Sequence, residues 1–134
     1  MKVRDAMTTD VLKVGPEHTL RRAAQLMAER NVGAVVCWDL DRECPGILTE
    51  RDLLRSTARG EDPDRELVAD HLTVDVTTAE LGSSLERAAD TMISGRFRHL
   101  VVLDDDGDLA GMLSMRDIVN AWLRNGMVRV AVGD

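Results

Sequence analysis

Aromatic side chains are nearly missing from this chain. Its 134 residues include no tyrosine, one phenylalanine (Phe97) and two tryptophans (Trp38 and Trp122), 2% of the sequence. Positive charge is also short: 17 Lys and Arg face 24 Asp and Glu, giving a net charge of −7 and a pI near 4.9. A nucleic-acid-binding surface needs a basic face and rings for bases to stack on, so both shortages argue against that partner. Cysteine is scarce too. Cys37 and Cys44 are too few for a disulfide framework, and their spacing is not that of zinc ligands. No apolar run approaches the roughly 20 residues that span a bilayer, so no membrane association is expected. The first seven residues hold Lys2, Arg4 and Asp5, without the basic-then-apolar order of a signal peptide. The expected location is cytoplasmic. What is present is ordinary: 44% hydrophobic and 31% charged residues suit one compact domain and exclude an acidic disordered chain.

The chain repeats itself. Shifted by 65 positions, it matches itself without a gap at seventeen positions between Val3 and Arg55, whereas unrelated segments would share roughly 3 or 4. Val3, Asp5, Thr8, Asp10 and Val11 return as Val68, Asp70, Thr73, Asp75 and Val76. Leu20, Arg22, Ala23, Ala24 and Met27 return as Leu85, Arg87, Ala88, Ala89 and Met92. Gly46, Leu48, Arg51 and Asp52 return as Gly111, Leu113, Arg116 and Asp117. Two copies are too few for an open solenoid, so a closed pair is expected. Residues 1–66 form the first repeat with its linker, and residues 67–134 the second with its C-terminal tail.

Each copy carries the same pattern. Leu20, Ala23, Ala24 and Met27 recur at i, i+3, i+4 and i+7, one face of a helix, and Leu85, Ala88, Ala89 and Met92 repeat it. Ser83 with Glu86 reads as the capping box of the second of these helices. The runs 34–38 and 99–103 predict strands, each followed by a polar turn and a second short strand ending at Thr49 or Ser114. A further helix starts near Glu50 or Met115, the latter with Ile118, Val119 and Trp122 on one face. Short strands are predicted at 11–14 and 74–78. Residues 56–66, with Gly60 and Pro63, read as a helix end and linker. Asp104 to Gly107 reads as a hairpin turn with the glycine relieving the backbone. The fold class is mixed α/β (α+β), two β-α-β-β-α units.

These features together resemble a tandem pair of cystathionine-β-synthase (CBS) domains, a Bateman module. The likeness runs from Val3 to about Trp122. Its carriers are Asp5-Ala6-Met7-Thr8, the Leu-x-x-Ala-Ala-x-x-Met helix and Gly46-Ile47-Leu48-Thr49-Glu50-Arg51-Asp52. The second copy has Asp70-His71-Leu72-Thr73 and Gly111-Met112-Leu113-Ser114-Met115-Arg116-Asp117. Two departures stand out: Val35-Val36 and Leu100-Val101 where the family often has Pro, and Cys44-Pro45 at the usual apolar approach to Gly46. The resemblance implies two repeats packed with pseudo-two-fold symmetry, and clefts between them that take an adenosyl ligand: AMP, ADP, ATP or S-adenosylmethionine. It also implies pairing of modules into a homodimer. With two copies and a linker filling the chain, no effector domain is expected, so a signal would pass through an unknown effector protein.

Carried over by motif, Asp52 and Asp117 are the ribose residues, with Thr49 and Ser114 beside them toward the phosphates. A carboxylate accepts only, and it can hold two adjacent hydroxyls. The same residues would also cap helices without any ligand, and a helix N-terminus is itself suited to an anion. In the second copy Arg96-Phe97-Arg98-His99 leads into the strand, where the first has Asn31-Val32-Gly33-Ala34. Arg98 and His99 read either as a solvated helix-to-strand corner or as phosphate contacts, and if a phosphorylated nucleotide binds, theirs is the better cleft. Arg116 lies within the motif and reads either as a phosphate contact or as an exposed first-turn arginine. Val11, Val76, Ile47 and Met112 are the expected adenine walls, and equally expected core.

Other chemistries find no support in the residue pattern. Asp104-Asp105-Asp106-Gly107 fails as a calcium loop, because the first and twelfth ligand positions would be Val102 and Leu113. His18, His71 and His99 lie far apart in sequence and form no obvious metal set. No nucleophile–base spacing or Gly-rich phosphate loop marks an enzyme, and no resident cofactor is expected. Cys37 and Cys44 read as small core residues flanking one hairpin, where a redox disulfide between them is the other reading. The alternative to an adenosyl-ligand sensor is a ligand-independent dimeric interaction or stress-response module. Ile118, Val119 and Trp122, with Leu53 and Leu54, would supply its apolar surface. The tail 127–132 alternates loosely, as an added edge strand would.

Overall fold

A computed structural model describes residues 1–38 and 45–126. In chain order the elements are α1 (Val3–Ala6), β1 (Lys13–Val14), α2 (Leu20–Arg30), β2 (Ala34–Cys37), β3 (Gly46–Thr49) and α3 (Glu50–Ala58). A 3-10 turn (Val68–Asp70) precedes β4 (Thr78–Glu80), α4 (Leu85–Gly95), β5 (His99–Leu103), β6 (Leu109–Ser114) and α5 (Met115–Arg124). Each copy makes a three-stranded sheet, β1-β2-β3 or β4-β5-β6. The first pair in each runs parallel and the second antiparallel.

The helix faces follow the sequence period. Leu20, Ala23 and Met27 of α2 are buried against Val14, Val35, Cys37 and Leu48. Leu85, Ala88, Ala89 and Met92 of α4 are buried against Leu100, Val102, Leu113, Ile118 and Ala121. Both helices end on a residue in the left-handed region, Asn31 (φ 53°) and Arg96 (φ 60°). The Asp104 hairpin closes as a turn: its Oδ1 accepts the N–H groups of Asp106 and Asp108, and Gly107 has φ 82°.

Compact units and sequence repeats are cut differently. One unit is Val11–Val76; the other joins Met1–Asp10 to the chain from Thr77 onward. Val3, fully buried, belongs to the core of Leu85, Met92 and Leu113, and its N–H donates to the Ser83 carbonyl at 2.8 Å. Val68, also fully buried, belongs to the core of Val14, Leu20 and Leu48, and its N–H donates to the His18 carbonyl at 2.8 Å. The leading segment of each sequence copy is thus built into the sheet-and-helix layer of the other copy.

Several local expectations are corrected by the fold. The strand expected at 11–14 is only Lys13–Val14, and that expected at 74–78 is Thr78–Glu80. Parallel pairing sets these limits: Lys13 and Val14 align with Val36 and Cys37, while Thr78 to Glu80 align with Val101 to Leu103. Val74, a strong strand former, is 53% exposed outside the ladder. The cap of α4 is Ser84, whose hydroxyl accepts the Arg87 N–H at 3.1 Å. Ser83 cannot cap there because its backbone closes the turn to Glu80 and receives Val3. On α5, Val119 leaves the expected face and is exposed, while Ile118 and Ala121 are fully buried and Trp122 packs partly against them. Ile118 is therefore consumed by the core and is no part of an outer surface. Cys37 is buried in β2; Cys44, its suggested disulfide and the tail 127–132 lie outside the described residues.

Candidate functional site

The recurring Gly-x-x-(Thr/Ser)-x-x-Asp segment is a strand that turns directly into a helix. In the second copy β6 ends at Ser114 and α5 starts at Met115. Ser114 is the N-cap: the Asp117 N–H donates to its Oγ at 3.0 Å, and its own N–H donates to Asp117 Oδ2 at 2.9 Å. In the first copy the Thr49 N–H donates to Asp52 Oδ2 at 2.8 Å, and the Thr49 hydroxyl to the same oxygen at 3.2 Å. Each aspartate thus spends one oxygen holding the corner. Among the described residues, no hydrogen bond reaches the Oδ1 of either.

The leading segments cross these strands. Thr8 and Met112 exchange backbone hydrogen bonds at 2.8 and 2.9 Å, and Ile47 and Thr73 do the same at 2.9 Å each. The glycines make the crossing sterically feasible. A Cβ on Gly111 would stand 2.6 Å from the Thr8 carbonyl oxygen, and one on Gly46 would stand 2.5 Å from Leu72 Cδ1. The crossing also brings in a side chain that the motif alone does not assign. Thr8 Oγ1 makes a long contact, 3.5 Å, to Asp117 Oδ2. In the sequence it is signalled by identity with Thr73 at the 65-residue period and by its place in Asp5-Ala6-Met7-Thr8.

Around Asp117, the sheet gathers the second copy's polar residues. His99 is registered opposite Ser114, Arg98 immediately precedes it, and the Arg98 carbonyl accepts the Met115 N–H at 2.9 Å. Arg98 and Arg116 are exposed and His99 is half-buried. The first copy has Ala34 opposite Thr49 and the Gly33 carbonyl holding the Glu50 N–H, so Arg98 and His99 have no cationic counterpart there, while Arg51 matches Arg116. Ile47 and Met112, expected as adenine walls, are both buried, 8% and 7% exposed. Val11 and Val76 are half-buried in the stretches that precede β1 and β4. The structure thus brings together Thr8, Arg98, His99, Met112, Ser114, Arg116 and Asp117 at one sheet end. Ile47, Thr49 and Asp52 form the counterpart in the other unit.

A doubled strand-to-helix corner of this kind defines a class. The CBS domain sequence profile matches residues 3–59 and again 68–124, and the chain belongs to the CBS domain family. A CBS domain-containing protein of Bacillus subtilis is 34% identical over 92% of this chain and 86% of its own length. A CBS-domain-containing protein of Agrobacterium tumefaciens superimposes with TM-score 0.82, 33% identity and coverage of 91% and 93%. A CBS domain protein of Pyrobaculum aerophilum, solved in complex with AMP, superimposes with TM-score 0.81 at 25% identity, covering 96% of this chain and all of its own. Among the described residues, no helix is long and apolar enough to cross a membrane.

Proposed function

We propose that this chain is a regulatory protein that binds an adenosyl ligand, with Asp117 and Asp52 receiving the ribose hydroxyls. The observation that carries the reading is the division of labour on each aspartate. Oδ2 is fixed by the backbone at 2.9 or 2.8 Å, which orients Oδ1 as a charged acceptor beside a helix N-terminus. The AMP complex of the Pyrobaculum relative supports the same ligand class. Arg98, His99 and Arg116 supply the second copy with cationic groups suited to phosphate, so a charged nucleotide is assigned to the Asp117 corner. The Asp52 corner keeps Arg51, the counterpart of Arg116, but has no counterpart of Arg98 and His99, and suits a neutral adenosyl group. Val11, Val76, Ile47 and Met112 would line the base, Ser114 would face the phosphates, and Thr49 would take the matching place beside the neutral group.

Isothermal titration with AMP, ATP and S-adenosylmethionine tests this. Binding by at least one is expected, weakened roughly 10–100-fold in Asp117→Ala, because a hydrogen bond to a charged acceptor contributes about 1.5–3 kcal/mol. No heat from any of the three, or an unaffected variant, would sink the assignment. A second reading has its own observation: both capping boxes are satisfied by the chain alone, while Leu54 and Ile93 are 68% and 69% exposed. On that reading the chain acts through an apolar contact as a homodimer, without ligand. Light scattering across micromolar concentrations should then show a dimer insensitive to nucleotide.

A further inference from the structure

The three histidines are far apart in sequence, yet one of them, His71, meets two carboxylates, five and ten residues before it. The ligand atoms of Glu61, Glu66 and His71 lie within 4.8 Å of one another. His71 Nε2 is 2.8 Å from Glu66 Oε1. We propose that Glu61, Glu66 and His71 are a binding site for a divalent metal of the zinc type.

The position is built rather than accidental. The His71 side chain is only 6% exposed, and those of Glu66 and Glu61 are 29% and 30% exposed, so the cluster is walled on one side and open on the other. All three backbones are held. The Glu61 N–H donates to the Ser56 carbonyl at 3.2 Å, the Glu66 N–H to Asp62 at 2.9 Å, and the His71 N–H to Val68 at 3.0 Å. Glu66 in turn holds the first N–H of α2 through its carbonyl, from Leu20 at 2.9 Å. Ser56, whose carbonyl accepts that Glu61 N–H, is itself a buried residue of α3. Ligands on such fixed supports keep their geometry, as a metal site requires.

Charge and chemistry point the same way. The cation beside this pair of carboxylates is Arg59, 2.7 Å from Glu61 Oε1 and 54% exposed. Two carboxylates against one outward guanidinium leave negative charge that a dication would neutralise. Donors around zinc at 2.0–2.1 Å stand about 3.3 Å apart, so small side-chain rotations close the observed spread. One imidazole nitrogen with two carboxylate oxygens suits zinc better than calcium or magnesium, which take oxygen ligands. Three protein ligands leave a position for water on the open side. Because Thr73, two residues beyond His71, bridges Ile47 on β3, a bound ion would tie the 59–66 segment to the strand crossing.

Zinc titration of the full chain in metal-free buffer, followed by calorimetry and native mass spectrometry, tests this. One ion per chain is expected, with a melting temperature raised by about 5–10 °C at saturating zinc. His71→Asn and Glu66→Gln should each lose at least about tenfold in affinity, and Arg59→Gln, which removes the competing cation, should gain. The cobalt-substituted protein should show d–d bands without thiolate charge transfer, separating the site from Cys37 and Cys44. Absence of zinc uptake, uptake unchanged in His71→Asn and Glu66→Gln, or a thiolate band would overturn the proposal. If those two variants fail to fold, Arg59→Gln decides: unchanged or weaker zinc binding would also overturn it.

Discussion

Arg21 and Asp64 show what one surface pair does in this fold. The guanidinium meets the carboxylate through Nε and Nη2, with Nη2 at 3.1 Å from Oδ2. The hydrogen bond from Arg21 holds the Asp64 carboxyl below its ordinary range, with a smaller coulombic contribution from the same group. Both side chains are more than half exposed, so the pair contributes little to stability and is screened by salt. A carboxylate with a depressed folded-state pKa contributes fully above its unfolded value, and that contribution is lost as pH falls through the folded value. Arg21→Ala should therefore raise the Asp64 titration midpoint toward the ordinary range of an aspartate, followed by NMR of the carboxyl carbon. An unmoved midpoint would remove Arg21 as the cause. The pair also links the start of α2 to the segment after α3, which no local pattern announces.

At the scale of the element, the two strand-to-helix corners look alike but differ in tolerance. The obstacle to a side chain at Gly111 is the Thr8 backbone carbonyl, which cannot move without breaking the Thr8–Met112 pairing. At Gly46 the nearest obstacle is the end of the Leu72 side chain, which can rotate away. Gly111→Ala should therefore cost about 1–3 kcal/mol and Gly46→Ala clearly less, measured by urea unfolding. Equal costs would mean that the crossing segments yield alike. The caps give a plainer expectation: Ser84→Ala removes the acceptor for the Arg87 N–H and should cost about 1 kcal/mol, whereas Ser83→Ala should leave the α4 cap intact.

Across the whole molecule, the crossing of the leading segments makes a few N-terminal residues structural. Val3 is fully buried among Leu85, Met92 and Leu113, and Thr8 pairs with Met112. Removal of residues 1–8 should strip hydrogen-exchange protection from the Met112 amide, which donates to the Thr8 carbonyl at 2.9 Å. Retained protection would show that β6 does not depend on the crossing. Val3→Ala and Val68→Ala should each cost about 1–3 kcal/mol, a comparable loss from two sites 65 residues apart.

Much of this protein is legible in its residues because the determining forces are local and periodic. The apolar faces of α2 and α4, the strand at 99–103 and the Ser114–Asp117 box arise from spacings of three or four residues, or from alternation, and the fold reproduces them. The deficit of positive charge concerns the whole molecule; the residues grouped near Asp117 include two arginines and a histidine, which the balance of charge cannot reveal. Tertiary structure alone decided where β1 and β4 begin, because parallel register overrode the valine-rich stretches before them. It also decided which copy receives which leading segment. Val3 and Val68, like Thr8 and Thr73, are identical, so nothing local distinguishes a segment that folds onto its own copy from one that crosses. The meeting of Glu61, Glu66 and His71 has the same character. Its members lie five residues apart, a spacing that puts side chains on one face of neither a helix nor a strand, and the packing of α3 and the 3-10 turn against one core brings them together.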